Sequence, residues 1–543
     1  MQTKKTASFL IFILTIGFYI FTLLPSLAWG DGAKLQNEAV SGESFVIAEM
    51  SPDEFSPDPF IFSKVGVAAW DHPLYIVLGH LLIKALPFAE PLWLVNLISA
   101  IFGAASVVML FLLAMRFTNS IPASLYASLS LAVSHTFWWH SSTPEVYTLF
   151  VFLLLVSFYL FDEFERTDDK KLLVYSAIFL GLAASTHVMA FLAMPALGAY
   201  YLIRHRDIRI STLKKFVIPL LGFLGGFSLY IVQFIRMSAN FPLSEIMGPV
   251  VGSTFLSQLI TLTPALLGES LLSYIFFLTV QFGPVGLFFG AFGIREIFRA
   301  HDKSLQKIIF SFIVFALFGI FYRVTDQFTF FITSYIFWAM FMGIGSDSAL
   351  RLLPRKMHVP FLGLLGLLLL ATPFFYNALP NLAARYGLND DVIGIPKIGT
   401  DVRNGLAYYI NPNKRGDYAA YEFGSQTIMS LEANAVVIAE WYTDTDEYFI
   451  FRYFTKVEPI RTDVTVIGWG TEAPFYFDSQ LALDVIEDAF PNRPVYLASL
   501  SDRFYAASKL VDEYCILPEN NLYRLYERTD DTLQCLGIEA VTE

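Results

Sequence analysis

Before residue 380 the sequence is dominated by apolar runs long enough to cross a bilayer, and no other feature restricts the fold as strongly. A hydrocarbon layer roughly 30 Å thick needs about 20 apolar residues in helical form to span it. Inside that layer every backbone N–H and C=O must be satisfied within the segment, so continuous runs of this length read as helices. They lie at 7–29, 92–115, 121–138, 146–161, 172–185, 188–203, 216–235, 270–293, 306–321, 328–346 and 358–377, about eleven in all. With 55% hydrophobic and 15% charged residues, the 543-residue chain carries more apolar surface than a soluble core could bury. The expected fold is a polytopic α-helical membrane body, residues 1–378, followed by a water-soluble α/β domain, residues 379–543.

The first run follows Lys4 and Lys5 and fits an uncleaved span better than a removable signal peptide, because it is long enough to cross. Cytoplasmic loops retain Lys and Arg. With the N-terminus inside, 18 of the 23 basic residues before position 378 fall on the cytoplasmic side, and Lys34, Lys64, Lys84, Arg236 and Arg323 on the other. An odd number of spans then puts the C-terminal domain outside the cytoplasm, with a prokaryotic cytoplasmic membrane as the default location. The net charge of −12 resides in that domain, where 26 acidic residues face 13 basic ones from position 378 on, and it argues against nucleic-acid binding. Strand-like runs at Ala435–Ala439, Asp463–Ile467 and Val495–Leu497, and helical spacing over Gln480–Ala489, make the domain mixed α/β. Cys515 and Cys535 are its only cysteines; they pair or stay as two free thiols, and their spacing does not decide.

Chemistry-bearing residues gather in the loops on the non-cytoplasmic side. The first of these, residues 30–91, opens on Asp31 in Trp29-Gly30-Asp31-Gly32 and includes Asp71-His72-Pro73, which starts an amphipathic segment expected to lie at the membrane surface. Asp71 or His72 is placed to cap that helix, with Pro73 in its first turn. His140 and Glu145 bracket the next turn, His187 sits at another, and Arg323 and Asp326 flank a fourth. Ionisable residues beside a span are costly and mark functional sites by default. Each also has a plainer reading: Asp31 as the first solvated residue after a helix, Glu145 as an acid matching a helix dipole, His187 as a packed helix-end histidine, and Arg323 with Asp326 as a local ion pair. No CxxC, HExxH or P-loop pattern occurs, which removes the common zinc-protease and ATPase readings.

Read in order, WGD (29–31), DHPLYIVLGHLLIKALPF (71–88), WLVNLISAIFGAASVVMLFLLAMRFT (93–118), SHTFWWHSSTPEVYTL (134–149) and THVMAFLAMP (186–195) resemble the protein O-mannosyltransferase-like transmembrane family of GT-C glycosyltransferases. The likeness covers about the first 205 residues and, more loosely, residues 322–345. Gly32-Ala33-Lys34-Leu35 replaces the family's WGDSGEF-like continuation, and His72-Pro73-Leu74-Tyr75 shortens its HPPGYPLY-like run. The resemblance implies a multi-span enzyme that takes a sugar from a polyprenyl-phosphate carrier and passes it, outside the cytoplasm, to a protein or glycan acceptor. It also implies that the acid after the first span is the catalytic base, the place Asp31 occupies.

For that reaction a carboxylate must remove the acceptor hydroxyl's proton, and a cation must meet the departing phosphate. Asp31 is the expected base, and Arg323 and His72 are the expected partners of the phosphate. Asp71, His140, Glu145, His187 and Asp326 complete the substrate-binding set. A divalent ion held by Asp31 and Glu145 is an option that the chemistry does not demand. Two other classes compete. A transporter or flippase would place broken helices and charges at mid-membrane and show repeated halves, which are not evident here; a non-catalytic scaffold would use the acidic domain to bind a partner.

Overall fold

The computed structural model describes residues 2–42, 72–204, 216–238, 263–300, 303–395, 397–440, 447–468, 479–528 and 535–537, apart from 323 and 325. Each of the eleven apolar stretches overlaps helix, although the first, expected over 7–29, is helical only as far as Phe21. Five helices among the described residues are long and apolar enough to cross a membrane: Gln2–Phe21, Pro91–Thr118, Tyr147–Thr167, Leu266–Ala300 and Arg355–Arg385. Other stretches are shorter or broken, so a count of eleven crossings does not follow from helix length alone. The stretch at 121–138 divides into Ile121–Ala132 and His135–Ser142, and that at 216–235 into Val217–Gly226 and Ser228–Ser238. Within Pro264–Ala300 the helix kinks at Gly283, whose φ of 63° is left-handed, and Pro284 follows because it has no N–H to continue the ladder.

Helices in a bilayer gain little from leaving lipid for one another, so close approach of small residues holds them together. Gly293 lies against the Phe341 carbonyl and Gly345 against that of Phe289, which presses the Pro264–Ala300 and Ile332–Leu352 helices backbone to backbone. A Cβ at either glycine would collide with main chain.

The C-terminal region forms a five-stranded mixed sheet of order β2-β1-β3-β5-β4. β1 (Val436–Ile438) pairs in parallel with β2 (Thr465–Ile467) and β3 (Val495–Leu497), and β5 (Leu522–Glu527) runs antiparallel to β3 and to β4 (Tyr514–Glu519). All three expected strands are present, and the expected helix spans Ser479–Ala489. Asn520 and Asn521 both take positive φ, the requirement of a two-residue hairpin turn between β4 and β5. Cys515 and Cys535 are joined in a disulfide, which settles the alternative left open by their spacing.

The sheet's apolar core does not stop at the C-terminal region. It takes in Leu27, Trp29, Ala33, Leu92 and Trp139 from the membrane body, so the segment around Trp29 and Ala33 is sandwiched between bundle and sheet. His135 Nε2 donates to the Tyr409 carbonyl at 2.9 Å, the Lys414 N–H to the Thr22 carbonyl at 2.9 Å, and Asn37 Nδ2 to the Phe449 carbonyl at 3.0 Å. These bonds fix the C-terminal region over one end of the bundle.

Candidate active site

Two glycines shape the Asp31 segment. Gly30 has φ 64° and ψ −145°, a conformation few side chains tolerate, and it turns the chain so that Asp31 opens the helix Asp31–Ser41. Gly32 packs against Ala28 and Pro144: a Cβ there would sit 2.7 Å from Ala28 Cβ and 3.0 Å from Pro144 Cγ. Only glycine lets the first helical turn reach the Pro144-Glu145 turn. Asp31 itself is exposed at the end of the helix, where the first turn favours negative side chains.

A buried polar frame holds both segments. Gln36 accepts from the Ala28 N–H at 2.9 Å and donates to the Ser26 carbonyl at 3.0 Å and to Asn96 Oδ1 at 2.8 Å. Asn96 Nδ2 donates to the carbonyls of Leu24 and Ser26 at 2.9 and 3.1 Å. One turn along, the Ser99 hydroxyl accepts from the Glu145 N–H at 3.0 Å and donates to the Glu145 carbonyl at 3.1 Å, while Tyr75 OH lies 3.0 Å from Ser99 Oγ. Asn96 and Ser99 thus let the Pro91–Thr118 helix position the segments around Asp31 and Glu145.

Around this frame the other residues collect. Glu145 is half-buried, and burial, then the charges of Asp31 and Asp326, push its carboxyl well above the ordinary range. Asp326 precedes the short helix Gln327–Phe330, whose Thr329 hydroxyl lies 3.3 Å from His140 Nε2. His140 packs on Tyr147 at 4.6 Å between ring centroids, Tyr147 on His187 at 5.1 Å, and His187 stacks on His72 at 5.6 Å with the rings 9° apart. His72 occupies the N-cap position of Pro73–Ala85 yet does not cap it; its Nδ1 donates to the Thr186 carbonyl at 2.6 Å. His187 Nδ1 accepts from the Met189 N–H at 3.1 Å, and burial, before the charge of His72, holds its ring well below the usual histidine range.

Six of the eight expected residues, Asp31, His72, His140, Glu145, His187 and Asp326, thus meet at the end of the bundle beneath the sheet. Asp71 and Arg323 lie outside the described residues. For the metal option, no group of three or more His, Cys, Asp or Glu among the described residues is placed to hold an ion. Sequence reasoning missed the frame residues Gln36, Asn96 and Ser99; for Asn96 and Ser99 the signal was polar side chains inside an apolar helical run. It also missed Trp139, Tyr408, Arg403 and Lys414, which meet only because the C-terminal region folds back. Arg403 Cζ lies 5.7 Å from the Trp29 ring and 5.5 Å from that of Tyr409.

Residues 71–210 match the family described as Protein O-mannosyl-transferase TMEM260 N-terminal domain. The chain is similar to protein O-mannosyltransferases of the GT-C class. A mouse relative, Protein O-mannosyl-transferase TMEM260, is 26% identical over 167 residues, 30% of this chain. The match spans 23% of that relative's length. Among solved structures, ArnT from Cupriavidus metallidurans superposes in its apo state with a TM-score of 0.55 at 12% identity, over 96% of this chain and 98% of ArnT. With undecaprenyl phosphate bound, ArnT superposes with a TM-score of 0.52 at 11% identity, over 95% and 97% of the two chains. These findings bear out the family resemblance read from the motif order, and the near-complete overlap with ArnT extends the likeness in fold to the C-terminal region.

Proposed function

We propose that this chain is a membrane glycosyltransferase that moves a sugar, mannose if it follows its relatives, from a polyprenyl-phosphate carrier to a protein or glycan hydroxyl on the extracytoplasmic face. The observation that carries the reading is the placement of Asp31, exposed at the start of its helix and held by Gly32 against the Glu145 turn, which lies within the residues similar to O-mannosyltransferases. Undecaprenyl phosphate bound to ArnT supports a lipid-phosphate donor for the shared fold.

Asp31 acts as general base. As the acceptor oxygen attacks the anomeric carbon, its proton passes to Asp31, the new carbon–oxygen bond forms, and the bond to the carrier's phosphate breaks with its electron pair leaving on phosphate. One displacement of this kind inverts the anomeric centre and needs no carboxylate nucleophile. Glu145, whose carboxyl holds its proton to higher pH, donates a hydrogen bond to a sugar hydroxyl, and Asp326 and the neutral ring of His187 orient the same sugar.

The test is Asp31→Asn in purified protein supplied with a polyprenyl-phosphate sugar. Transfer falls by roughly 10²- to 10⁴-fold, the usual worth of a general base, while expression and membrane insertion are unchanged. Full transfer in this variant removes Asp31 from the mechanism. Uptake of substrate by proteoliposomes without transfer would favour the transporter reading instead.

A further inference from the structure

Lys414 is a lysine in an unusual place. It is 2% exposed, and among the described residues it makes no ion pair. Its ammonium donates to the Tyr408 carbonyl, sits 3.7 Å from the centre of the Tyr408 ring and 5.3 Å from that of Trp139. Burial pushes it down to about 7, with Asp417 opposing and Arg403 adding to the shift. A buried ammonium without a carboxylate against it is costly and rarely kept unless an anion completes it.

Two further observations converge on the same spot. The Tyr408 hydroxyl is buried and has no hydrogen-bond partner among the described residues. It also lies within electrostatic reach of Arg403, Asp417 and Glu145, which ties the recess to the acidic site. Next along the chain, Arg415 lies 4.2 Å from the ring of Phe21, which is 59% exposed at the end of the first spanning helix. A ligand that brought an anion to Lys414 with an apolar tail trailing past Phe21 would satisfy all of these groups.

We infer that Lys414 and the Tyr408 hydroxyl, with Arg403 beside them, form the recess for the phosphate of an isoprenyl-phosphate donor, so that the C-terminal region supplies the cation for the leaving group. The inference rests on the glycosyltransferase reading and adds the donor's phosphate subsite to it. Both groups donate hydrogen bonds to phosphate oxygens, and the ammonium offsets the charge left on phosphate when the sugar departs.

The experiment measures binding of a polyprenyl monophosphate to the full chain in nanodiscs, alongside sugar transfer. Lys414→Met weakens carrier binding roughly 10- to 100-fold, the range expected for a charged hydrogen bond. Tyr408→Phe weakens it by several-fold, and Lys414→Arg keeps most of it. Melting temperatures separate these losses from misfolding, and Lys414→Arg preserves the test if Lys414→Met does not fold. A folded Lys414→Met protein with parental carrier binding overturns the inference and leaves a seam lysine. Equal competition by inorganic phosphate overturns the assignment to the carrier, since the site would then take any phosphate. If the parent binds carrier through Lys414 yet transfers no sugar, the recess stands and the glycosyltransferase reading falls. Transfer with an unchanged KM for donor in Lys414→Met does the reverse.

Discussion

The two ends of the membrane body treat their charges in opposite ways. At the end away from the sheet, Asp162, Glu163 and Glu165 meet Arg116, Arg166, Arg204 and Lys307. Lys307 Nζ lies 2.5 Å from Asp162 and 2.8 Å from Glu165, Arg116 lies 2.8 Å from Asp162 and 2.5 Å from Glu163, and Tyr200 OH donates to Glu165 at 2.7 Å. At the end beneath the sheet, Asp31, Glu145 and Asp326 act on one another as like charges, and among the described residues neither Asp31 nor Glu145 has an ion-pair partner. Acids matched by cations ties helices together. Acids placed near a buried carboxyl raise its proton affinity, an arrangement that costs stability and is found where protons are moved. The difference marks one cluster as a fastener and the other as a site.

That contrast breaks if charge removal acts alike at both ends. The largest effect is expected for Asp31→Asn, which lowers transfer by the factor given above while the melting temperature holds or rises, because a like charge beside Glu145 has gone. A clear fall in melting temperature would make Asp31 a structural acid. At the opposite end, Lys307→Met strands Asp162 and Glu165 with less compensation; removing one partner of a buried pair costs about 3–5 kcal/mol. Thermal unfolding in detergent measures it. Transfer per folded molecule stays at the parental value, and a selective loss of kcat would give the inner cluster a part in catalysis.

A smaller effect sharpens the role of the frame. Ser99→Ala leaves the N–H and carbonyl of Glu145 without their hydroxyl partner, and a buried unsatisfied polar group costs about 1–3 kcal/mol. Glu145 then drifts from its place, so donor KM rises more than stability alone explains. Ser99→Thr keeps a hydroxyl and restores part of the loss. Equal KM values in Ser99→Ala and the parent would show that Glu145 does not depend on this bond.

The two ends were also unequally legible in the sequence. Asp31, His72, His140, Glu145, His187 and Asp326 could be gathered to one face because each follows or precedes an apolar run, and alternation of spans fixes which run ends face the same way. The inner cluster was visible only as loop charge, since Lys307 and Asp162 become buried through the packing of helices far apart in sequence. Asn96 and Ser99 were readable in principle as polar residues one turn apart in an apolar helix, yet nothing local says that they hold Ser26 and Glu145. The β4–β5 hairpin was signalled by Asn520-Asn521 between two alternating runs, whereas Lys414 and Arg403 could not be assigned to the site before the C-terminal region was seen over Trp29 and Trp139.

The finest test of the contrast is pH. In the unfolded chain Glu145 titrates near the ordinary glutamate value of about 4.3, and in the folded protein its carboxyl titrates well above that. The folded state therefore binds the more protons between the two values, and stability falls as pH rises through that window. The stabilisation is complete below the unfolded value and is lost once pH passes the folded one. Glu145→Gln cannot titrate, so its melting temperature against pH is flatter from about pH 5 upward, and the two curves part further as pH rises through the window, with the variant above the parent. At the opposite end Asp162 keeps Lys307 and Arg116 as ion-pair partners. A parent curve that rises with pH across the Glu145 window would mean that an undetected cation balances the carboxylates, and the outer cluster would then be a fastener like the inner one.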